Sequence, residues 1–428
     1  MSAPHASGAR RSVQAPKGTY DVLPAEVERR SLLSAHAHRI FGAAGYHRIE
    51  TPIFESTELF SRGVGEATDI VQKEMYTFDD GGGRSLTLRP EGTASVCRAY
   101  IEHGMHKLPQ PVKLWYLGPF FRAEQPQKGR YRQFWQVGAE AIGSAAAETD
   151  AELIVLLAEL LDAMGVKGTR LRLASLGTPE TRADYREELT AYLRAHQSAL
   201  SEEVRNRIDL NPMRAFDASD PGTRAVMAGA PKLLERLAPE DAEHFAHVRE
   251  LLDVAGVRYE LDTTLVRGLD YYTRTVFEFT SDALGAQSGV GGGGRYDRLM
   301  EQLGGQPTPG MGFAAGLERI LLAGSEQPIA PDPVDVYVTL ADRDRRDAAV
   351  AAFELAREAR RAGLAAQLEL TGRSLKSALK HADRIDARYV AIVSDASETT
   401  LKCMGSGEQQ DLEIGSVIAT ILRGSRLS

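Results

Sequence analysis

Residues 118–136 read GPFFRAEQPQKGRYRQFWQ: a strand-like apolar start, a polar turn holding Lys128, Arg130 and Arg132, and an aromatic return. This pattern predicts a long β-hairpin with a basic tip. Arg122 stands beside Phe120 and Phe121, where burying a guanidinium is costly unless an anion, or an internal acid such as Glu124 or Glu140, meets it. Its planar fork suits phosphate or carboxylate oxygens. Around the hairpin, SLTLRP (85–90), VKLWYLG (112–118), QFWQVGAEAIG (133–143) and TVFEFT (275–280) are short strand-like runs separated by Gly, Pro and charged turns. Short connections of this kind predict an antiparallel sheet.

The 428 residues correspond to about three folding units at roughly 150 residues each. Hydrophobic content of 43%, charged content of 26%, 40 Gly and 19 Pro exclude a disordered, collagenous or disulfide-stapled chain. The most apolar window, Leu153–Leu161, carries Glu159 and is far shorter than a membrane span, so no membrane association is expected. Cys97 and Cys403 lie far apart, outside any Cys-x-x-Cys pair, which favours a reducing cytoplasm and no structural zinc. MSAPHASGARRSVQ (1–14) lacks the apolar core of a secretory signal and is expected to be a disordered arm. A net charge of −8 argues against a broadly nucleic-acid-binding surface, so any RNA contact must be local.

No fixed-period repeat is present. LAGSEQPIAPDPVD (322–335) has the composition of an exposed linker. Beyond it, VDVYVTL, AAQLEL, YVAIVS, TLKCM and QDLEI alternate with helical stretches and predict βαβ units on a sheet. Before it, Thr149 and Glu152 form a capping-box pattern that predicts a helix from Thr149 through Leu161, ending at Gly165. Residues 170–257, rich in Ala, Arg, Glu and Leu with Pro/Asp breaks, predict a mostly helical insertion.

Gly289–Gly294 satisfies G-x-G-x-x-G and precedes an expected helix at Arg295–Leu303. A dinucleotide site also needs a parallel βαβ unit and a downstream acid, neither of which follows, so the glycines are expected to allow close backbone approach to a pocket or tight strand packing. His103 and His106 lack the order and third ligand of a metal site.

The hairpin resembles motif 2 of the class II aminoacyl-tRNA synthetases, and PQKGRYRQF with the following GAE is similar to the histidyl-tRNA synthetases in particular. IETPIF (49–54) with ELFSRGVGEATDIVQKEMYTF (58–78) resembles motif 1, and GMGFAAGLER (310–319) motif 3. LRPEGT (88–93), LVRGLDYYTRTVFEF (265–279) and GGGRYD (292–297) are similar to family-specific segments. The resemblance implies an α+β fold: a class II antiparallel sheet core over 15–169 and 258–328, the helical insertion 170–257, a linker at 329–333 and an α/β anticodon-binding domain over 334–428. It implies activation of L-histidine by ATP and transfer of the histidyl group to the 3′ end of tRNA(His).

By the same resemblance, Arg122 and Arg267 would meet the α-phosphate as catalytic groups. Glu124 and Arg319 would complete the ATP site, with Mg²⁺ carried by ATP and no direct protein ligand for metal. Glu91, Gly92, Thr93, Gln136, Glu140, Arg267, Tyr271 and Tyr272 would bind histidine. The hairpin tip, Gln127, Lys128 and Arg130, would approach the tRNA acceptor end. Lys376, Lys380, Arg384 and Arg388 recur every four residues, predicting a basic stripe on one helix side suited to a phosphate backbone. The segment from Val334 onward holds 14 acids and 14 bases, so its overall charge adds no signal. Motif 1 implies a homodimer, and no other protein partner is expected. The alternative is a non-catalytic, synthetase-like regulatory subunit of ATP phosphoribosyltransferase. Retention of three phosphate arginines and a terminal domain argues against it.

Overall fold

The structure is a computed structural model that describes residues 13–65, 68–209, 211–218, 220–265, 269, 271–285, 288–325 and 334–424. The linker expected at 329–333, and residues 1–12 of the expected arm, lie outside them. The chain divides into two compact units, Met1–Gln327 and Pro328–Ser428.

In the first unit, α1 (Pro24–Ala43) begins with a proline at its first turn, where the missing N–H removes no intrahelical bond. β1 (His47–Arg48) follows, then a small antiparallel sheet of β2 (Phe54–Ser56), β3 (Tyr76–Asp79) and β4 (Ser85–Leu88), with α2 (Thr57–Val64) between its first two strands. After α3 (Thr93–Glu102), the hairpin strands β5 (Val112–Phe121) and β6 (Gln133–Ile142) pair in antiparallel register from Val112↔Ile142 to Phe121↔Gln133. α4 (Ala147–Ala163) and β7 (Thr169–Ser175) come next, then α5 (Pro179–Ala195), α6 (Glu202–Arg207), α7 (Pro221–Ala228) and α8 (Pro239–Val254). β8 (Tyr259–Leu261), β9 (Thr273–Ser281), β10 (Gly289–Arg295), α9 (Leu299–Gln302), β11 (Gly310–Gly316) and α10 (Leu317–Ala323) complete the unit. Eight strands form one sheet in the order β1-β5-β6-β11-β10-β9-β7-β8, antiparallel except at its two edge pairs.

Three local expectations are corrected. Thr169–Ser175, expected almost wholly within the helical insertion from residue 170, is a strand of this sheet, because alternate residues Leu171 and Leu173 enter its core. The helices of that region begin at Pro179. The capping box at Thr149 and Glu152 does not form. α4 starts at Ala147, the Thr149 hydroxyl bonds Ser144 Oγ, and Glu152 accepts from Tyr46 and Lys113. Arg295, expected to open a helix, ends β10 instead, held by a buried ion pair with Asp150 and by the carbonyls of Ser144 and Ala146.

Helices α1 and α4 cover one sheet face, where Leu33, Phe41, Trp115, Leu157 and Phe313 are buried together. Arg89 ties motif 1 to the hairpin by donating to the carbonyls of Thr51 and Pro119.

In the second unit, β12 (Val336–Leu340) pairs in parallel with β13 (Ala366–Leu368) and β14 (Tyr389–Val393). α11 (Arg346–Arg361) buries an alanine-rich face, and Ser374 caps α12 (Leu375–Arg384). β15 (Glu398–Cys403) and β16 (Gln409–Glu413) add antiparallel strands before α13 (Val417–Gly424). The parallel alternation expected throughout therefore stops at β14: no helix separates the last strands.

Candidate active site

Side chains along a strand alternate between faces, and β6 uses this to serve two purposes. Val137, Ala139 and Ala141 enter the core beneath α1 and α4, while Phe134, Gln136, Gly138 and Glu140 face the opposite way. Glycine is needed at Gly138 and Gly92 because a Cβ at either would lie within 2.5 Å of the Tyr116 ring. A cavity of about 210 Å³ opens on this face, and Glu91, Gly92, Thr93, Gln136, Tyr271, Tyr272, Arg122, Glu124, Arg130 and Arg319 all line it.

The acidic and amide groups are fixed by local structure. The Glu91 carboxylate accepts from the amides of Thr93 (2.9 Å) and Ala94 (2.8 Å), at the start of α3. Burial raises its pKa, opposed by those amides and by Arg122. Glu140 is 0% exposed and lies behind the lining rather than in it, so the expected direct contact with a bound imidazole is not preformed. It accepts from Thr93 Oγ1 (2.8 Å), Tyr296 (2.7 Å) and Tyr116 (3.4 Å). Burial pushes its pKa up to about 8, with the hydroxyls pulling the other way. Gln136 Oε1 is a buried acceptor without a protein hydrogen-bond partner among the described residues, leaving it available to a ligand N–H.

The cations adjoin these groups. Arg122, just beyond β5, donates to the Pro90 carbonyl (2.9 Å) and lies 3.7 Å from Glu124, with its guanidinium over the Phe134 ring. The internal acid is thus a loose partner, and most of the fork remains for an anion. Arg130 pairs with Glu124 at 3.2 Å. Arg319, on α10, has its pKa lowered by burial and then by the neighbouring Arg130 charge, a repulsion that a bound polyanion would relieve. Arg267 lies outside the described residues.

At the hairpin tip, Gln127 and Arg130 exchange backbone hydrogen bonds around Lys128-Gly129, with Gly129 at φ +76°. Gln127 and Lys128 are exposed, whereas Arg130, expected to face tRNA, turns into the cavity. Lys376, Lys380 and Arg384 are exposed on α12, and Leu375 and Leu379 pack inward. Arg388 is not part of that stripe. The helix ends at Arg384, Asp386 reverses the chain at φ +54°, and Arg388 pairs with Asp335 at 3.4 Å.

Tyr131, Glu278 and Glu318, unanticipated from the sequence, also line the cavity. Glu278 alternates with the core residues Phe277 and Phe279 of β9, a strand periodicity that marks it. Glu318 precedes a motif arginine and carries no such mark.

A family model for histidyl-tRNA synthetase matches residues 18–320, and one for an anticodon-binding domain matches 335–423. The histidine–tRNA ligase of Halothermothrix orenii is 46% identical over 415 residues, covering 95% of this chain and 98% of its own. The chain belongs to the histidyl-tRNA synthetase family. The crystal structure of the family's apo S. aureus member superposes with a TM-score of 0.78 at 33% identity, covering 96% of this chain and 100% of that one. The sheet is thus the antiparallel core of a class II synthetase. A Bacillus halodurans C structure described as an ATP phosphoribosyltransferase regulatory subunit/histidyl-tRNA synthetase has a TM-score of 0.62 at 24% identity, over 86% of this chain and 96% of that one. It shares the fold alone.

Proposed function

We infer that this protein ligates L-histidine to tRNA(His), forming histidyl-adenylate and diphosphate from histidine and ATP before transfer to the tRNA 3′ end. The observation that carries this reading is a single cavity in which buried acceptors, Glu91 and Gln136, adjoin the guanidinium groups of Arg122 and Arg319. An ammonium and a carboxylate on one small molecule, beside a polyphosphate, match that set. Phosphoryl transfer leaves the protein mainly positioning and charge neutralisation. Arg122 would orient the α-phosphate for in-line attack by the histidine carboxylate, and Arg319 would hold the distal phosphates. Arg267 joins them on the family resemblance. Glu91 and Thr93 would receive the ammonium, and Gln136, Tyr271 and Tyr272 the rest of the amino acid.

Glu124 and Glu278 supply hard oxygen donors in the same cavity, which fit a Mg²⁺ arriving on the triphosphate. That ion would supply further charge neutralisation. The regulatory-subunit alternative is disfavoured by the two arginines at one cavity and by the anticodon-binding segment.

Lys376, Lys380 and Arg384 on α12, and Gln127 and Lys128 on the hairpin, are the proposed tRNA contacts. A homodimer is supported by Ile53, Phe54 and Phe78, which are 45%, 51% and 44% exposed on or beside the small motif 1 sheet, an apolar cluster of the kind that marks interfaces. Among the described residues no helix is long and apolar enough to cross a membrane, and a cytoplasmic site of action follows from the proposed reaction. Histidine-dependent exchange of labelled diphosphate into ATP, with other amino acids as controls, tests the assignment. Exchange that ignores histidine would remove it.

A further inference from the structure

The segment preceding α1 reaches across the hairpin. Arg132 N donates to the Gly18 carbonyl at 2.8 Å. Gly18 has φ +87°, and a Cβ there would meet the Arg132 side chain at 2.8 Å and Pro126 at 2.9 Å, so the two strands of chain touch without a gap. Two residues on, the Tyr20 ring packs against the ring of Tyr131 at a tilt of 46°, with centroids 4.7 Å apart, and Tyr131 lines the cavity.

The hydroxyl of Tyr20 continues the contact toward motif 3. It donates to Glu26 (2.9 Å) and accepts from Arg30 Nη2 (2.8 Å). Arg30 Nη2 also reaches Glu318 Oε1 at 3.0 Å, and its guanidinium lies over the Trp135 ring. Glu318 accepts in turn from the Trp135 amide. The Arg30 and Glu318 side chains are 12% and 5% exposed, and Arg29 donates to the Leu321 carbonyl on the same helix, α10. One cluster therefore grips both β6 of the hairpin and the first turn of α10, where Arg319 follows Glu318. A surface ion pair would do little of this kind. A buried pair sharing several acceptors fixes geometry even where it adds little net stability.

We infer that Tyr20 and Arg30 are positioning residues that set the hairpin and Arg319 in register for the nucleotide. Neither touches the cavity, so both act through others: Tyr20 through Tyr131, and Arg30 through Glu318 and Trp135. The inference rests on the reading of the hairpin and α10 as the ATP site. It predicts a selective effect. Glu91 and Thr93 are held at the start of α3 and not by this cluster, so histidine binding should be largely spared when the brace is cut.

The test is steady-state histidine-dependent diphosphate exchange on the full chain, for wild type, Tyr20→Ala, Tyr20→Phe and Arg30→Lys. A displaced positioning element costs up to about 100-fold in rate. Tyr20→Ala and Arg30→Lys should raise KM for ATP about 10-fold and lower kcat, with KM for histidine within about twofold of wild type. Tyr20→Phe, which keeps the ring, should recover most of the ATP affinity. Should Tyr20→Ala fail to fold, Arg30→Lys still reads the split, with Tyr20→Phe as its near-wild-type control. Wild-type KM for ATP in both Tyr20→Ala and Arg30→Lys, or an equal rise for ATP and histidine accompanied by a lowered melting temperature, would overturn the inference. Wild-type protein without histidine-dependent exchange would instead remove the functional reading beneath it.

Discussion

Replacing Glu140 with Gln should change how stability depends on pH. In the folded chain, burial lifts this carboxyl from 4.5 to about 8, while unfolding returns it to the ordinary carboxylate range. Between those values the unfolded chain has released a proton that the folded chain retains, so rising pH favours unfolding. The contribution is fully present below pH 4.5 and is lost as pH climbs through 8. At about 1.4 kcal/mol per pH unit, wild type should lose about 4 kcal/mol relative to Glu140→Gln between pH 5 and pH 8. Guanidinium unfolding of both proteins, at one-unit steps from pH 5 to pH 9, gives the difference directly. It should fall steadily to pH 8 and then flatten. Parallel stability curves for the two proteins would refute the argument that this carboxyl is desolvated and untethered to any cation. The same variant should raise KM for histidine by about 2- to 10-fold with little change for ATP, since Glu140 holds the cavity-lining Thr93 through its hydroxyl at 2.8 Å and a neutral hydrogen bond contributes about 0.5–1.5 kcal/mol.

Three further outcomes are expected. Gly312→Ala places a methyl 1.7 Å from Glu140 Oε2, so it should destabilise the protein by about 1–3 kcal/mol and weaken histidine; thermal unfolding and KM for histidine at wild-type values would contradict the packing described. Arg267→Ala should suppress adenylate formation with little change in melting temperature, and unchanged diphosphate exchange would remove this arginine from the reaction. Lys376→Ala, Lys380→Ala and Arg384→Ala combined should raise KM for tRNA and shallow its salt dependence by about one log unit per lost phosphate contact. Exchange should be unaffected, and an unaltered salt slope would assign the stripe to solvent.

The hairpin was legible because its two strands carry long, aromatic-rich runs around a polar turn, and β5 and β6 occupy those runs. The resemblance to the histidyl-tRNA synthetases likewise placed Glu91, Arg122, Gln136, Tyr271 and Arg319 in one set. Local rules failed where distant partners outcompeted them. Glu152 fits a capping box, but Lys113 and Tyr46 claim it. Arg295 fits a helix start, but Asp150 holds it at a strand end. Arg388 continues a fourfold spacing past the point where the helix stops. The concealment of Glu140 depends on β6 pairing with β11, where it sits opposite Gly312, and the Arg30–Glu318 contact joins residues 288 apart. No sequence window contains either.

The glycine run of β10 bears on how this site can change by mutation. At Gly291 a Cβ would meet Ala315 at 2.5 Å, at Gly293 the Gly312 carbonyl at 1.9 Å, and at Gly294 the Thr275 carbonyl at 2.8 Å. Every single-base change that alters a glycine codon without stopping translation introduces a Cβ, so none of these positions has a one-step route to a tolerated residue. Variants selected for a different amino acid should therefore accumulate along the Thr93, Tyr271 and Tyr272 side of the pocket and leave this strand as it is.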